Sequence, residues 1–214
     1  MKVTILSPHC DDHILACSGT IINLVEKDHD VTIVFMTNGY SHPPKKLEWV
    51  DAIAGSCKDL GVKHHMLGLS NQRFDEYTLI DINQKIEALE LEPDLVISPT
   101  PHDANYDHTV TYRSALTLAR PIGRPVSHIS MEAPSSTEWG GVAFDPKFYV
   151  PLTIKQVLAR NQLMEKHFAP ELRAPPHPRS LQSLGNLAER RGVMCGCLYA
   201  EAFEVNRLYS IHCF

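Results

Sequence analysis

The stretch Leu6–Ile22, LSPHCDDHILACSGTII, decides how the rest of the chain is read. A short apolar run, Val3 to Leu6, leads into it and reads as a buried strand. His9, Cys10, Asp11, Asp12 and His13 then crowd into consecutive positions, and a small-residue, apolar segment from Ile14 to Lys27 reads as a helix. Strand, polar loop, helix is where open α/β sheets place their chemistry, at the carboxyl ends of strands. A polar loop whose Asp12 or Ser18 merely caps a helix needs one such side chain, not five.

Working outward, the strand–helix alternation repeats. Asp30–Thr37, DVTIVFMT, is a β-branched strand ending at the turn signal Asn38-Gly39. Ser41–Pro44 reads as loop, and Leu47–Leu60 as a helix closed by Gly61. Lys63–Leu69 is a third strand, Tyr77–Leu91 a helix stopped by Pro93, and Asp94–Ser98 a fourth strand. That strand runs into a second polar cluster, PTPHDANYDH, Pro99–His108, with a helix expected from Thr109 to Ala119.

This alternation predicts a three-layer α/β/α fold of Rossmann-like type. Its sheet is mainly parallel, and a single domain spans residues 1–214. Past Arg120 the grammar changes. Strands are expected at Val126–Met131, Phe148–Leu152 and Cys197–Phe203, and helices at Thr153–Phe168 and Leu181–Gly192. Ser135–Gly141 reads as loop. The Pro-rich segment Ala169–Arg179, APELRAPPHPR, reads as an irregular surface loop or flap. Long loops outside a regular repeat often carry specificity, so this segment or Trp139 is expected to border the substrate site.

Composition narrows the function. With 20 Lys and Arg against 25 Asp and Glu, the net charge is −5, which disfavours nucleic acid or an anionic membrane as partner. Lys45-Lys46 is only a pair. No apolar run approaches the roughly 20 residues of a membrane span. The N-terminus lacks the apolar core of a signal peptide, so the six cysteines are read as reduced and mostly buried in a cytoplasmic protein. Cys195 and Cys197 are spaced CxC without a second pair, which is not a zinc knuckle.

The two clusters suit one metal ion. A catalytic zinc takes three protein ligands and keeps a position for water. His9 and Asp12 can converge on an ion as the chain turns from strand to helix, leaving Asp11 to face the bound water as general base. The second cluster follows another strand and offers His108 as third ligand, with Asp107 able to orient a ring or ligand from behind. His13 at a helix start reads as a surface or rim residue, and His102 and Asp103 read equally well as solvated loop or as functional residues. Cys10 reads as packing, and His64-His65 as structural. His42, His128, His167, His177 and His212 show no partner pattern.

At these residues the chain resembles a known family. PHCDDHILACSGT is similar to the PHPDDExxxxGGT signature of the LmbE-like / PIG-L family of zinc-dependent N-acetylglucosaminyl deacetylases. ANYDHTVTYRSAL resembles its HPDHRAVGRAAL segment, and MTNGYSH and PDLVISP its second-strand end and fourth strand. FDPKFYVPLTI resembles F-x-P-N-x-F-V-D-I-T, and RRGVMCGCLYAEAFEVNRL resembles the RG…G…YAEAF…R ending. The resemblance covers nearly the whole chain.

It implies Zn2+ held by His9, Asp12 and His108, a general base at Asp11, and the HPDH aspartate at Asp107. The implied reaction is hydrolysis of the N-acetyl group of an amino sugar, free or in a glycoside, nucleotide sugar or glycoconjugate, with release of acetate. The implied partner is thus a small-molecule substrate, and a homo-oligomer is left open.

The chain departs from the pattern in several places. Cys10 replaces Pro, His13 replaces Glu, Ala16 and Ser18 replace glycines, and Asn105 stands where the first His of HPDH would. The proton for the leaving amine then falls to Asp11 or to His102, and His102 and Asn105 are placed at the substrate. The family's R-x-x-E segment has no clear equivalent around Lys45–Asp51. Two other classes compete: a two-metal phosphoesterase, which needs more ligands, and a non-catalytic sugar-binding relic.

Overall fold

The structure is a computed structural model that describes residues 1–37, 39–40 and 49–209. The loop Ser41–Pro44, the Lys45-Lys46 pair, the first two residues of the helix expected from Leu47, and Asn38, His42, His212 and Cys213 lie outside the described residues.

Five strands alternate with helices: β1 Lys2–Ser7, α1 Asp12–Glu26, β2 Asp30–Thr37, α2 Val50–Leu60, β3 Lys63–Leu69, α3 Leu79–Glu87, β4 Leu95–Pro99, α4 Tyr106–Leu118 and β5 Ser127–Met131. Then come β6 Phe148–Leu152, α5 Ile154–His167, α6 Leu181–Cys195 and β7 Tyr199–Arg207. They form one seven-stranded sheet in the order β3-β2-β1-β4-β5-β7-β6. The first five strands pair in parallel. β7 runs antiparallel to β5 and to β6, where the sequence alternation also changes.

β1 and β2 are buried along all but their first residue, as expected of central parallel strands covered on both faces. Successive side chains go to opposite faces. Ile5, Ile33 and Phe35 join Ile14, Ile53 and Met164 under α1, α2 and α5, while Leu6, Val34 and Met36 join Ile82, Ile86 and Val110 under α3 and α4. This is the expected three-layer α/β/α arrangement. Burying each of these side chains contributes about 1.5–3 kcal/mol relative to exposure. Among the described residues, no helix is long and apolar enough to cross a membrane.

Several boundaries differ from the sequence reading. α3 ends at Glu87 rather than Leu91, ahead of Glu90, which takes a left-handed φ of 51°. Pro93 is therefore not what stops it. α4 starts at Tyr106, not Thr109, because Asn105 caps it by accepting from the Asp107 N–H. β7 begins at Tyr199 and runs to Arg207, since Cys195 to Cys197 form the end of α6 and its left-handed Gly196 cap. A short 3-10 turn, Ala169–Glu171, opens the Pro-rich segment.

α1 carries an internal break. Cys17 has non-helical angles, φ −152° and ψ 21°. The amides released there are bound by a buried carboxylate from β7: Glu201 accepts from Gly19 N at 2.9 Å and Thr20 N at 2.7 Å. The approach is close at Gly19, where a Cβ would meet Leu152 side-chain atoms at 2.6 Å and Glu201 Oε1 at 3.1 Å, so a larger residue would have to displace the Leu152 side chain.

Candidate metal centre

The sheet order reverses between β1 and β4, so the loops after these strands leave in opposite directions and open a crevice at their carboxyl ends. Both polar clusters of the sequence sit there. The β1–α1 loop folds on itself: Ser7 Oγ donates to His9 O at 2.8 Å, and His9 N donates to Asp12 Oδ2 at 2.8 Å. The β4–α4 loop delivers His108 in the first turn of α4.

His9, Asp12 and His108 form the one buried group with metal-ligand character found among the described residues. His9 Nδ1 lies 3.2 Å from Asp12 Oδ2 and 3.2 Å from His108 Nε2, and His108 Nε2 lies 3.4 Å from Asp12 Oδ2. Ligand atoms at roughly 2.0–2.1 Å around a tetrahedral zinc are spaced about 3.3 Å apart. The triangle therefore fits that ion in size as well as in donor type.

The far sides of both rings are held by carboxylates, the arrangement that orients histidine ligands. His9 Nε2 meets Asp107 Oδ2 at 3.1 Å, and His108 Nδ1 meets Asp103 Oδ2 at 3.2 Å. Asp107 also accepts from Gln72 N at 2.8 Å and Phe74 N at 3.1 Å. Asp103 also accepts from Thr137 Oγ1 at 2.6 Å, Ser136 Oγ at 3.0 Å and Asn105 N at 2.8 Å.

The electrostatics follow. Burial alone would pull the His108 pKa down, but the charges and bonds of Asp12 and Asp103 push it up to about 10. Burial would raise Asp12, yet the two histidines hold it well below the usual carboxylate range. A cation placed among these groups replaces the proton that the cluster otherwise holds.

Asp11 occupies the N-cap position of α1 but its side chain makes no capping bond. Among the described residues, Ser18 Oγ is buried without a partner, so it caps nothing either. Instead Asp11 Oδ2 accepts from Arg179 Nη1 at 3.2 Å. Its pKa is raised above the ordinary value by burial and by Asp12, with Arg179 opposing.

His102 is exposed, and its carbonyl oxygen packs so closely on Gly140 that a Cβ there would come within 2.0 Å. Asn105 spends its Oδ1 on the α4 cap and donates from Nδ2 to Gln72 Oε1 at 3.3 Å.

One reading is corrected and one is decided. His13 is fully buried rather than at the rim, because α1 starts at Asp12 and turns the ring inward. It meets Phe35 edge-on at 4.9 Å, its Nε2 reaches Ser56 Oγ at 3.1 Å, and burial drives its pKa down to about 3. Asp103, which the sequence leaves open between solvated loop and functional residue, is buried against His108. Cys10, Cys17 and Cys57 are buried free thiols, while Cys195 and Cys197 are half-buried and free.

The residues that the sequence did not single out are Gln72, Ser136, Thr137, Glu171 and Arg179. Arg179 closes the Pro-rich segment, whose end therefore lies against Asp11. The exposed ring of Trp139 stands edge-on to His177 in the same segment, with centroids 6.2 Å apart.

The profile of the GlcNAc-PI de-N-acetylase (PIG-L) family matches residues 4–119, more than half of the chain. The chain belongs to the PIG-L family. No curated protein matches it. The PIG-L architecture recurs in N,N'-diacetylchitobiose deacetylase from Pyrococcus horikoshii, at 21% identity and TM-score 0.72, covering 95% of this chain and 83% of that one. It recurs in a deacetylase of teicoplanin biosynthesis, at 13% identity and TM-score 0.77, covering 96% and 97%. It recurs also in 4-carboxy-2-hydroxymuconate hydratase from Pseudomonas putida, at 16% identity and TM-score 0.74, covering 100% and 99%. These likenesses establish the fold; that a hydratase shares it with deacetylases leaves the reaction to be argued from the site.

Proposed function

We propose that this PIG-L family chain is a zinc-dependent hydrolase that removes the acetyl group from an N-acetylated amino sugar of the N-acetylglucosamine type, releasing acetate. The observation that carries the reading is the ligand triangle with Asp11 beside it: a carboxylate at a helix start that does not cap the helix. Zinc held by His9, Asp12 and His108 would supply a Lewis acid and a water acidified towards pKa ~7. Asp11 takes a proton from the attacking water and returns it to the amine nitrogen as the C–N bond breaks. Asp107 and Asp103 fix the rings of His9 and His108 from behind. His102 and Asn105 border the substrate side of the crevice, and we place the enzyme in the cytoplasm.

A structural zinc site is normally closed by four ligands and needs no base, which favours catalysis over a sugar-binding relic. A two-metal phosphoesterase needs a second ligand group, and the described residues offer one group only.

The test is acetate release from N-acetylglucosamine, its glycosides and its nucleotide sugars, with and without chelator. Release that chelator abolishes and zinc restores, at one zinc per chain, is the expected result. Two ions per chain with phosphate-ester cleavage would replace this reading. His108→Ala should lose most of its zinc, and full occupancy in that variant would remove His108 from the ligand set.

A further inference from the structure

Beside the proposed metal ligands, few of the described residues could meet charge that develops on the substrate oxygen. Asn105 has both polar side-chain atoms engaged, one in the α4 cap and one on Gln72, and it carries no charge. His102 is exposed, and among the described residues no side-chain hydrogen bond or ion pair ties it to Asp11. Among the described residues, Arg179 is the one cationic side chain that bonds Asp11.

Arg179 arrives from the far end of the chain, 168 residues away from Asp11. Its guanidinium is held at two of its three nitrogens. Nε donates to Ser135 Oγ at 2.7 Å. Nη1 donates to Asp11 Oδ2 at 3.2 Å and to Glu171 Oε2 at 2.9 Å. Among the described residues, Nη2 has no partner. The side chain keeps 23% of its exposure while that of Asp11 keeps 3%, so the guanidinium reaches solvent where the carboxylate it bonds does not. Glu171 and Ser135 fix the group from outside, one on the turn that opens the Pro-rich segment and one on the loop after β5, where Ser135 holds a left-handed φ of 77°. A guanidinium anchored in this way needs little reorganisation to act, and it stays charged throughout the working pH range.

We infer that Arg179 is a catalytic residue, whose free Nη2 edge donates to the substrate's amide oxygen as that oxygen becomes an oxyanion. The inference rests on the deacetylase reading for its substrate. The water oxygen bonds to the amide carbon, and Asp11 takes the water proton. The carbonyl electron pair moves onto the oxygen, which Arg179 meets with an N–H. When that pair returns, the C–N bond breaks and the amine leaves with the proton from Asp11. The Pro-rich segment is then part of the catalytic site, not only of its border. The rival view is a strap, in which Arg179 merely ties this segment to the core.

The test uses zinc-loaded wild type, Arg179→Gln and Arg179→Lys, with methylphosphonate as a tetrahedral anion that stands in for the oxyanion. Calorimetry should show methylphosphonate binding weakened by more than tenfold in Arg179→Gln and by less in Arg179→Lys, at unchanged zinc content and melting temperature. On a substrate that wild type deacetylates, kcat of Arg179→Gln should fall roughly 10²–10³-fold with little change in KM, and added guanidinium should restore part of it. Unchanged methylphosphonate affinity in Arg179→Gln overturns the inference. So does loss of zinc or of thermal stability in both variants, which is the strap. If wild type releases acetate from no amino sugar, the deacetylase reading fails, while the methylphosphonate arm still decides the role of Arg179.

Discussion

Asp107 Oδ2 lies 3.1 Å from His9 Nε2, although the two residues are 98 positions apart in the chain. The carboxylate is itself fixed by the backbone amides of Gln72 and Phe74, so three segments meet behind one ring. Loss of a group in this position typically lowers metal affinity 10–100-fold. Asp107→Ala should therefore bind zinc about 10–100-fold more weakly, measured by competition with a chromogenic chelator. Wild-type affinity in that variant would mean that the pair does not orient the ring.

Asp11 and Asp12 are adjacent and both buried, yet their partners differ. Asp12 accepts from the His9 amide and faces both histidines, while Asp11 faces Arg179. Asp11→Asn keeps the shape and removes the basicity. Zinc content and fold should stay near normal while turnover drops about 10²–10⁴-fold. Substantial turnover by a zinc-loaded Asp11→Asn protein would take Asp11 out of the reaction.

Trp139 presents 62% of its surface to solvent beside His177, two residues before Arg179. An exposed ring at this place suits the apolar face of a sugar. Aromatic packing of this kind contributes about 0.5–1.5 kcal/mol. Trp139→Ala should raise KM roughly 2–10-fold without altering zinc content. Steady-state kinetics giving an unchanged KM would make the ring a bystander.

His128 tests pH dependence away from the metal. It is buried on β5, its Nε2 meets Ser98 Oγ at 2.9 Å, and its ring stacks on Tyr112 at 5.6 Å. Burial, reinforced by Arg207, lowers its pKa from 6.5 to about 4. The unfolded chain binds this proton more readily than the folded one. Its contribution to stability is therefore fully present above pH 6.5 and is lost as pH falls towards 4, by up to about 3 kcal/mol. Denaturant unfolding across that window should show the loss, and His128→Asn should flatten it. An identical slope in the variant would assign the loss to other groups.

How much of this was readable beforehand follows from distance along the chain. His9, Asp11 and Asp12 share one loop, and the strand before it and helix after it are local patterns. The parallel sheet follows from repeated alternation. His108 is legible for the same reason, since it comes just after another strand. By contrast, Asp103 looks like any loop aspartate until His108, Ser136 and Thr137 are folded around it. Arg179 sits in a Pro-rich run with no periodicity, and nothing local marks it as Asp11's partner. His13 reads as a rim residue because a helix expected to begin at Ile14 leaves it in the loop, whereas α1 takes it in from Asp12 onward and buries its ring.

The broken helix α1 has a consequence for how this protein can be divided. The part that matches the family profile ends at residue 119 and holds every proposed zinc ligand. Yet Gly19 and Thr20 depend on Glu201, and Asp11 depends on Arg179, both encoded far beyond that point. A polypeptide ending at Ala119 would own the whole proposed ligand inventory but neither the carboxylate that binds the Gly19 and Thr20 amides nor the guanidinium on Asp11. A second polypeptide supplying residues 120 to 214 would have to bring both back by complementation.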